Sequence, residues 1–147
     1  MLCHGSAFGA GADLVAACDW RIAAPATRFR MPGLRFGVVL GTRRLAALIG
    51  ADAAHKILTT QRTFEAAEAA RLGFVQRLAE PGSWPDIVRS SVDGQRLEPA
   101  AAGRLKERIK PDMRPADMAA LVDSAAVPGL KDRIRAFRSA PSDAGSQ

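Results

Sequence analysis

Three glycines crowd into the run Gly5-Ser-Ala-Phe-Gly9-Ala-Gly11-Ala-Asp13, and this cluster constrains the chain more than any other feature. Glycine permits left-handed backbone and close approach of other atoms, so the run reads as a tight turn. Residues 9–18, GAGADLVAAC, are small at their start and apolar all round, which predicts a short buried helix opening out of that turn. A dinucleotide fingerprint is excluded, because Gly9-x-Gly11 is followed by Leu14 where a third glycine is required, and no acidic residue ends a second strand in a βαβ frame. A phosphate-binding P-loop is excluded because no Gly-Lys-Ser/Thr follows. Two readings stay open. One is a turn that merely feeds a helix. The other is a turn at which Gly9, Ala10 and Gly11 let a ligand approach free helix N–H groups, an arrangement able to hold a growing negative charge on a carbonyl oxygen.

Charge and composition narrow the classes of function. The 147 residues carry 21 Lys+Arg against 15 Asp+Glu, a net charge of +6. The arginines are dispersed from Arg21 to Arg138 and aromatics make up only 5% without a tyrosine, so the basic balance reads as solvated surface and not as a nucleic-acid face. The densest basic group, Arg28, Arg30, Arg35, Arg43 and Arg44, is read the same way. With 48% hydrophobic residues the chain can build a core as one domain. No apolar run approaches the ~18 residues of a membrane span. Cys3 and Cys18 are too few for a disulfide framework and lack metal spacing, and the N-terminus has no signal-peptide character, so a cytoplasmic setting is expected. His4 and His55 have no partner at metal or triad spacing, and no metal site is expected.

Along the chain, Asp19 is expected to stop the first helix and to cap the helix-to-strand turn. Residues 20–24 and 27–31 read as short strands, the second halted by Pro32-Gly33. Thr42 is a plausible N-cap for RRLAALIG with Gly50 at its end, and residues 52–59 continue as helix. Thr63 can cap FEAAEAARL, with Gly73 just beyond, and residues 74–78 follow as strand. Beyond Ser83 the chain is helical in propensity, with Pro85, Pro99, Pro111, Pro115 and Pro128 near helix ends. The stretch from Ser139 is small and polar and is expected to be disordered.

Residues 4–50, HGSAFGAGADLVAACDWRIAAPATRFRMPGLRFGVVLGTRRLAALIG, followed by residues 53–80, closely resemble the crotonase superfamily of enoyl-CoA hydratases and isomerases. The likeness runs in order over residues 2–80: the small-residue turn, the helix ending in Cys18-Asp19, the R-I-A strand, the Phe29-to-Pro32 step, the Arg-Leu-containing helix and the E-A-x-x-x-G-x-V segment from Glu68 to Val75.

The resemblance implies an α/β fold: a partial crotonase-like β-β-α spiral over 1–80, with strands near 2–5, 19–24 and 74–78, and a helical C-terminal region over 81–138. It further implies that this is the C-terminal part of a larger unit, lacking the N-terminal spiral turns, with apolar surface exposed or covered by self-association. Ala10 would offer its backbone N–H to the thioester oxygen of an acyl-CoA, with Gly9, Gly11 and Gly33 bordering the substrate. Coenzyme A would enter as part of the substrate and not as a separate cofactor. Asp13 stands where hydratases place one glutamate and is the candidate acid or base, its alternative being a helix-start acid that simply favours the dipole. Gly33 stands where the second glutamate is usual and has no proton to exchange. Trimers or hexamers are the family's usual assembly. An acyl-CoA enzyme working through an enolate is therefore the leading expectation, and a catalytically impaired subunit with a binding or assembly role is the alternative.

Overall fold

The computed structural model describes residues 1–94, 96–110 and 112–140. Successive coils of the chain each lay one strand on each of two small sheets. The first sheet holds β1 (Leu2–Cys3), β3 (Ile22–Ala23) and β6 (Arg77–Leu78), in the order β1-β3-β6 and parallel throughout. The second holds β2 (Ser6–Phe8), β4 (Arg28–Arg30) and β5 (Phe64–Glu65); β2 runs parallel to β4, and β5 runs antiparallel to it. Leu2 faces Ile22 in one sheet and Ser6 faces Arg28 in the other, so each coil stacks on the one before. This is the α/β, partly spiral architecture expected from the sequence.

Helix α1 (Ala10–Ala17) follows β2, and a 3-10 helix (Pro32–Phe36) follows β4. Helices α2 (Thr42–Ile49), α3 (Ala51–Thr60) and α4 (Ala66–Arg71) complete the core region. Three fully buried phenylalanines, Phe29, Phe64 and Phe74, meet with ring centroids 5.1–5.5 Å apart. Such pairs contribute about 0.5–1.5 kcal/mol each beyond the area they bury. Around them pack Leu45, Ile57, Val75 and the alanines Ala12, Ala16, Ala54, Ala66 and Ala69. The small side chains of Ala12 and Ala16 let α1 lie close on this cluster, which fixes where its N-terminus points.

Several boundaries differ from those expected. The first strand covers only Leu2–Cys3, and Ser6–Phe8 inside the glycine run forms a separate strand because β4 offers it a partner. The 19–24 strand shrinks to Ile22–Ala23 and the 74–78 strand to Arg77–Leu78, since Phe74 and Val75 are spent on the core in a bend. Gly41, not Thr42, is the N-cap of α2, and Glu65, not Thr63, is that of α4. Phe64–Glu65 is strand where helix was expected.

The C-terminal region comprises α5 (Trp84–Asp93), α6 (Pro99–Ile109), α7 (Arg114–Ala126) and α8 (Leu130–Ser139). Prolines 85, 99 and 115 sit in the first turns of their helices and Pro128 separates α7 from α8, while Pro111 lies outside the described residues. Ser139, expected to open a disordered tail, closes α8; residues 141–147 of that expected tail lie outside the described residues. Only Ile87 of these four helices is fully buried, and α6, α7 and α8 are tied to the core region by ion pairs and by an aromatic contact. Lys106 and Lys110 reach Asp19, Arg43 pairs with Asp117 at 2.9 Å, and Phe36 meets Phe137 at 5.4 Å. Among the described residues, no helix is long and apolar enough to cross a membrane.

Candidate functional site

The glycine turn is held by the sheet below it. Gly9 has φ +54° and donates its N–H to the Arg30 carbonyl at 2.8 Å, so the end of β4 fixes the residue at which the chain turns up into α1. A Cβ at Gly9 would meet open space, so its glycine is demanded by the backbone angle and not by crowding. The helical ladder begins with Asp13 N–H to Gly9 O at 3.1 Å. The first-turn amides of Ala10, Gly11 and Ala12 have no acceptor four residues back within the helix, and among the described residues no side chain caps them. Ala10 is exposed, so its end of the dipole faces solvent. Gly11 is less constrained: a Cβ there would make ordinary contact with Ala7.

One turn on, Asp13 is a half-buried acid in the first turn of α1. Its Oδ1 is buried and has no hydrogen-bond partner among the described residues. Gly41, at φ +69°, lies directly against that oxygen; a Cβ there would overlap Asp13 Oδ1 and come within 2.9 Å of Met31 Cε. Burial pushes the Asp13 carboxyl above the usual carboxylate range, against the weaker opposing pull of the Arg44 guanidinium. A carboxyl that holds its proton more tightly than usual is a stronger base for proton transfer.

Gly33 is half-buried in the 3-10 helix, and its carbonyl accepts the Val38 N–H at 3.0 Å. A Cβ at Gly33 would fall 3.0 Å from the Val38 carbonyl oxygen, so a side chain at this position needs the Gly37–Gly41 segment to shift. The structure thus brings Gly9, Ala10, Gly11 and Asp13 together at one helix start. It links them to Gly33 through Arg30, Met31 and the segment leading to Gly41.

Other residues resolve into structural roles. Asp19 does not cap α1, whose C-cap is Cys18; its carboxylate takes Lys106 and Lys110, which lower it to about 2. Arg21 departs from the expected solvated arginines. It is buried and donates to the carbonyls of Phe74 (2.7 Å), Cys18 (2.8 Å), and, at 3.4 Å, Asp19 and Gly73. The basic group likewise divides: Arg30 Nε donates to Gln61 O at 2.9 Å, Arg35 lies over Phe137, and Arg43 pairs with Asp117. His4 is exposed beside Trp84, and Cys3 and Cys18 are free. Sequence reasoning missed Met31 and Gly41 as the walls of the Asp13 site. The signal available was the pair of glycines bounding G-V-V-L-G at 37–41.

Comparison with known proteins identifies the family. Residues 2–92 match the Enoyl-CoA hydratase/isomerase family. Over 81 residues the chain is 36% identical to a short-chain-enoyl-CoA hydratase of Clostridium acetobutylicum and 37% identical to a crotonyl-CoA hydratase of Syntrophomonas wolfei, covering 53% of this chain and 31% of each relative. A crystal structure of a Bordetella parapertussis protein assigned as enoyl-CoA hydratase/isomerase superposes with a TM-score of 0.92 at 48% identity, over 95% of this chain and 59% of that one. An enoyl-CoA hydratase structure from Bacillus halodurans shares the fold at TM-score 0.75 and 23% identity, over 92% of this chain and 59% of its own. The chain therefore spans about a third of the curated relatives and under two thirds of the solved ones. On the family match, which covers more than half of its residues, the chain belongs to the enoyl-CoA hydratase/isomerase family of the crotonase superfamily.

Proposed function

We propose that the turn at Gly9–Gly11 and the carboxyl of Asp13 act together on an enoyl-CoA thioester. The Ala10 N–H donates to the thioester oxygen, and the positive end of α1 stabilises the enolate formed when a proton leaves the carbon chain. One such donor contributes on the order of 3 kcal/mol in a transition state. The observation that carries this reading is the buried Oδ1 of Asp13, one turn from the amide of Ala10, both without a hydrogen-bond partner among the described residues. Gly9, Gly11 and Gly33 border the thioester, and coenzyme A is part of the substrate, with no separate cofactor.

A single carboxyl favours a proton shuttle over hydration. In a double-bond shift Asp13 takes a proton from one carbon of the acyl chain, leaving the electron pair on the enolate held at Ala10. It returns the same proton two carbons away, so atoms and charge balance with no second acid. Hydration by two carboxylates would need an acid at Gly33, where the structure has neither a proton nor room for one without movement.

A second reading, a subunit whose role is binding or assembly, is favoured by exposed apolar surface. Met1, Trp20, Val88 and Val92, all at least 45% exposed, line an open groove of about 390 Å³ beside the edge strand β1. A homo-oligomer, a trimer or hexamer by family likeness, would cover such surface. Two free cysteines accord with a cytoplasmic setting, and dispersed charge accords with a small-molecule partner in place of nucleic acid.

The test is binding and turnover with crotonyl-CoA for hydration and a 3-enoyl-CoA for the double-bond shift. Asp13→Asn should keep binding and lose about 100-fold or more of turnover. Unchanged turnover would remove Asp13 from the chemistry, and absence of binding by every CoA ester would remove the acyl-CoA reading.

A further inference from the structure

The segment that closes over Asp13 is fastened from the far end of the chain. It runs from Phe36 to Gly41 between two left-handed glycines, Gly37 at φ +80° and Gly41 at φ +69°, so its path is set by backbone angles that other residues avoid. Three ties hold it. Val39 N–H donates to Ser124 Oγ of α7 at 3.0 Å, and that hydroxyl in turn donates to Leu121 O at 2.9 Å. Arg133 Nε of α8 donates to Phe36 O at 2.8 Å, while its other nitrogens donate to the carbonyls of Pro128 and Val127. The Phe36 ring packs on Phe137 of α8. Arg133 is thus engaged by three backbone carbonyls on both sides of the junction. It also lies under Gly37, where a Cβ would come 3.5 Å from its Nε.

We infer that Ser124 and Arg133 are positioning residues for Asp13: by holding Phe36–Gly41 in place they keep Gly41 against the Asp13 carboxyl and water away from it. Both lie beyond residue 92, where the family match ends, and neither touches Asp13. The functional meaning of the inference rests on the role proposed for Asp13, but the positioning itself does not. If the ties are cut, the segment can lift, Oδ1 gains water, and the cause that raises the Asp13 carboxyl is removed. The other charges near the site leave room for this effect. Arg44 of α2 acts on Asp13 in the opposite sense, Arg43 of α2 is turned to Asp117, and Arg30, beside Met31, is turned to Gln61 O. The α1 dipole stays the same with or without the ties.

The experiment is a carboxyl-carbon NMR titration of the full chain labelled at aspartate, with Asp13→Asn identifying the resonance. The unmodified chain should titrate above the ordinary aspartate range. Ser124→Ala and Arg133→Gln should each lower the midpoint toward that range. Ser124→Thr, which keeps the hydroxyl, should restore it. An ordinary midpoint in the unmodified chain, or an unchanged midpoint in two variants that melt normally, overturns the inference. Should both variants fail to fold, amide exchange at Val39 of the unmodified chain decides: protection supports the tie, and exchange at the rate of an unstructured amide overturns it. These readouts need no turnover, so a failure of the proposed reaction, seen as undiminished activity in Asp13→Asn, is told apart from a failure of the positioning.

Discussion

Gly41→Ala measures how tightly the Asp13 carboxyl is enclosed. The added Cβ would occupy the space of Asp13 Oδ1 and would press on Met31 Cε at 2.9 Å. Two costs follow. Left-handed backbone at φ +69° costs an alanine about 1–2 kcal/mol, and forcing a group out of a packed site costs about 1–3 kcal/mol more. The sum is roughly 2–5 kcal/mol. Gly129→Ala supplies the control, because Gly129 has φ +82° but its Cβ would meet only Arg133 Nη1, at 3.6 Å. It should lose only the backbone part, about 1–2 kcal/mol. Urea unfolding at pH 7 reads both, provided the slopes agree. Adding Asp13→Ala to Gly41→Ala removes the obstructing oxygen and should recover at least about 1 kcal/mol relative to additivity. If Gly41→Ala costs no more than Gly129→Ala, and Asp13→Ala gives no relief, Gly41 does not enclose Asp13 and the account of its raised carboxyl fails.

Three further outcomes are expected. Because the folded-state Asp13 carboxyl lies above its unfolded value, its contribution to stability is fully present below the unfolded midpoint and is lost as pH rises through the folded one. Asp13→Asn should therefore melt higher than the unmodified chain at pH 7, an advantage that disappears in acid; calorimetry across that range checks it. Asp19 has the opposite sign: held at about 2 by Lys106 and Lys110, it contributes stability above the ordinary carboxylate midpoint that is lost as pH falls through about 2. Its carboxylate is 46% exposed, so Asp19→Asn should cost under about 1 kcal/mol while hydrogen exchange quickens across α6, which has no buried residue of its own. Arg21→Ala should cost about 3 kcal/mol or more in urea unfolding, since it strands the Phe74 and Cys18 carbonyls; a loss under 1 kcal/mol would deny Arg21 its structural role.

The parts of the fold legible in the sequence were those fixed by local signals. The glycine turn into α1, the Gly50 and Gly73 helix ends and the proline-marked C-terminal helices follow from backbone freedom and capping. What escaped was set by distant partners. Phe64–Glu65 lies in a helix-forming run after Thr63, yet pairing of Phe64 with Phe29 and burial among Phe29 and Phe74 outweigh that propensity. Ser6–Phe8 is strand only because Arg28–Arg30 lies beside it. Ala10, Asp13 and Gly33 became candidate site residues through family likeness laid on motif spacing. The enclosure of Asp13 by Gly41 and Met31, and the ties from Ser124 and Arg133, depend on residues far apart in the chain with no shared local pattern.

The central claim is that the amide of Ala10 receives an acyl-CoA thioester beside Asp13. Titrating the nitrogen-15-labelled full chain with crotonyl-CoA and following the Ala10 and Gly11 amide resonances tests it most directly. The account predicts a saturable shift that is largest at Ala10 and absent with free coenzyme A. Saturable binding that leaves Ala10 and Gly11 unmoved would contradict it.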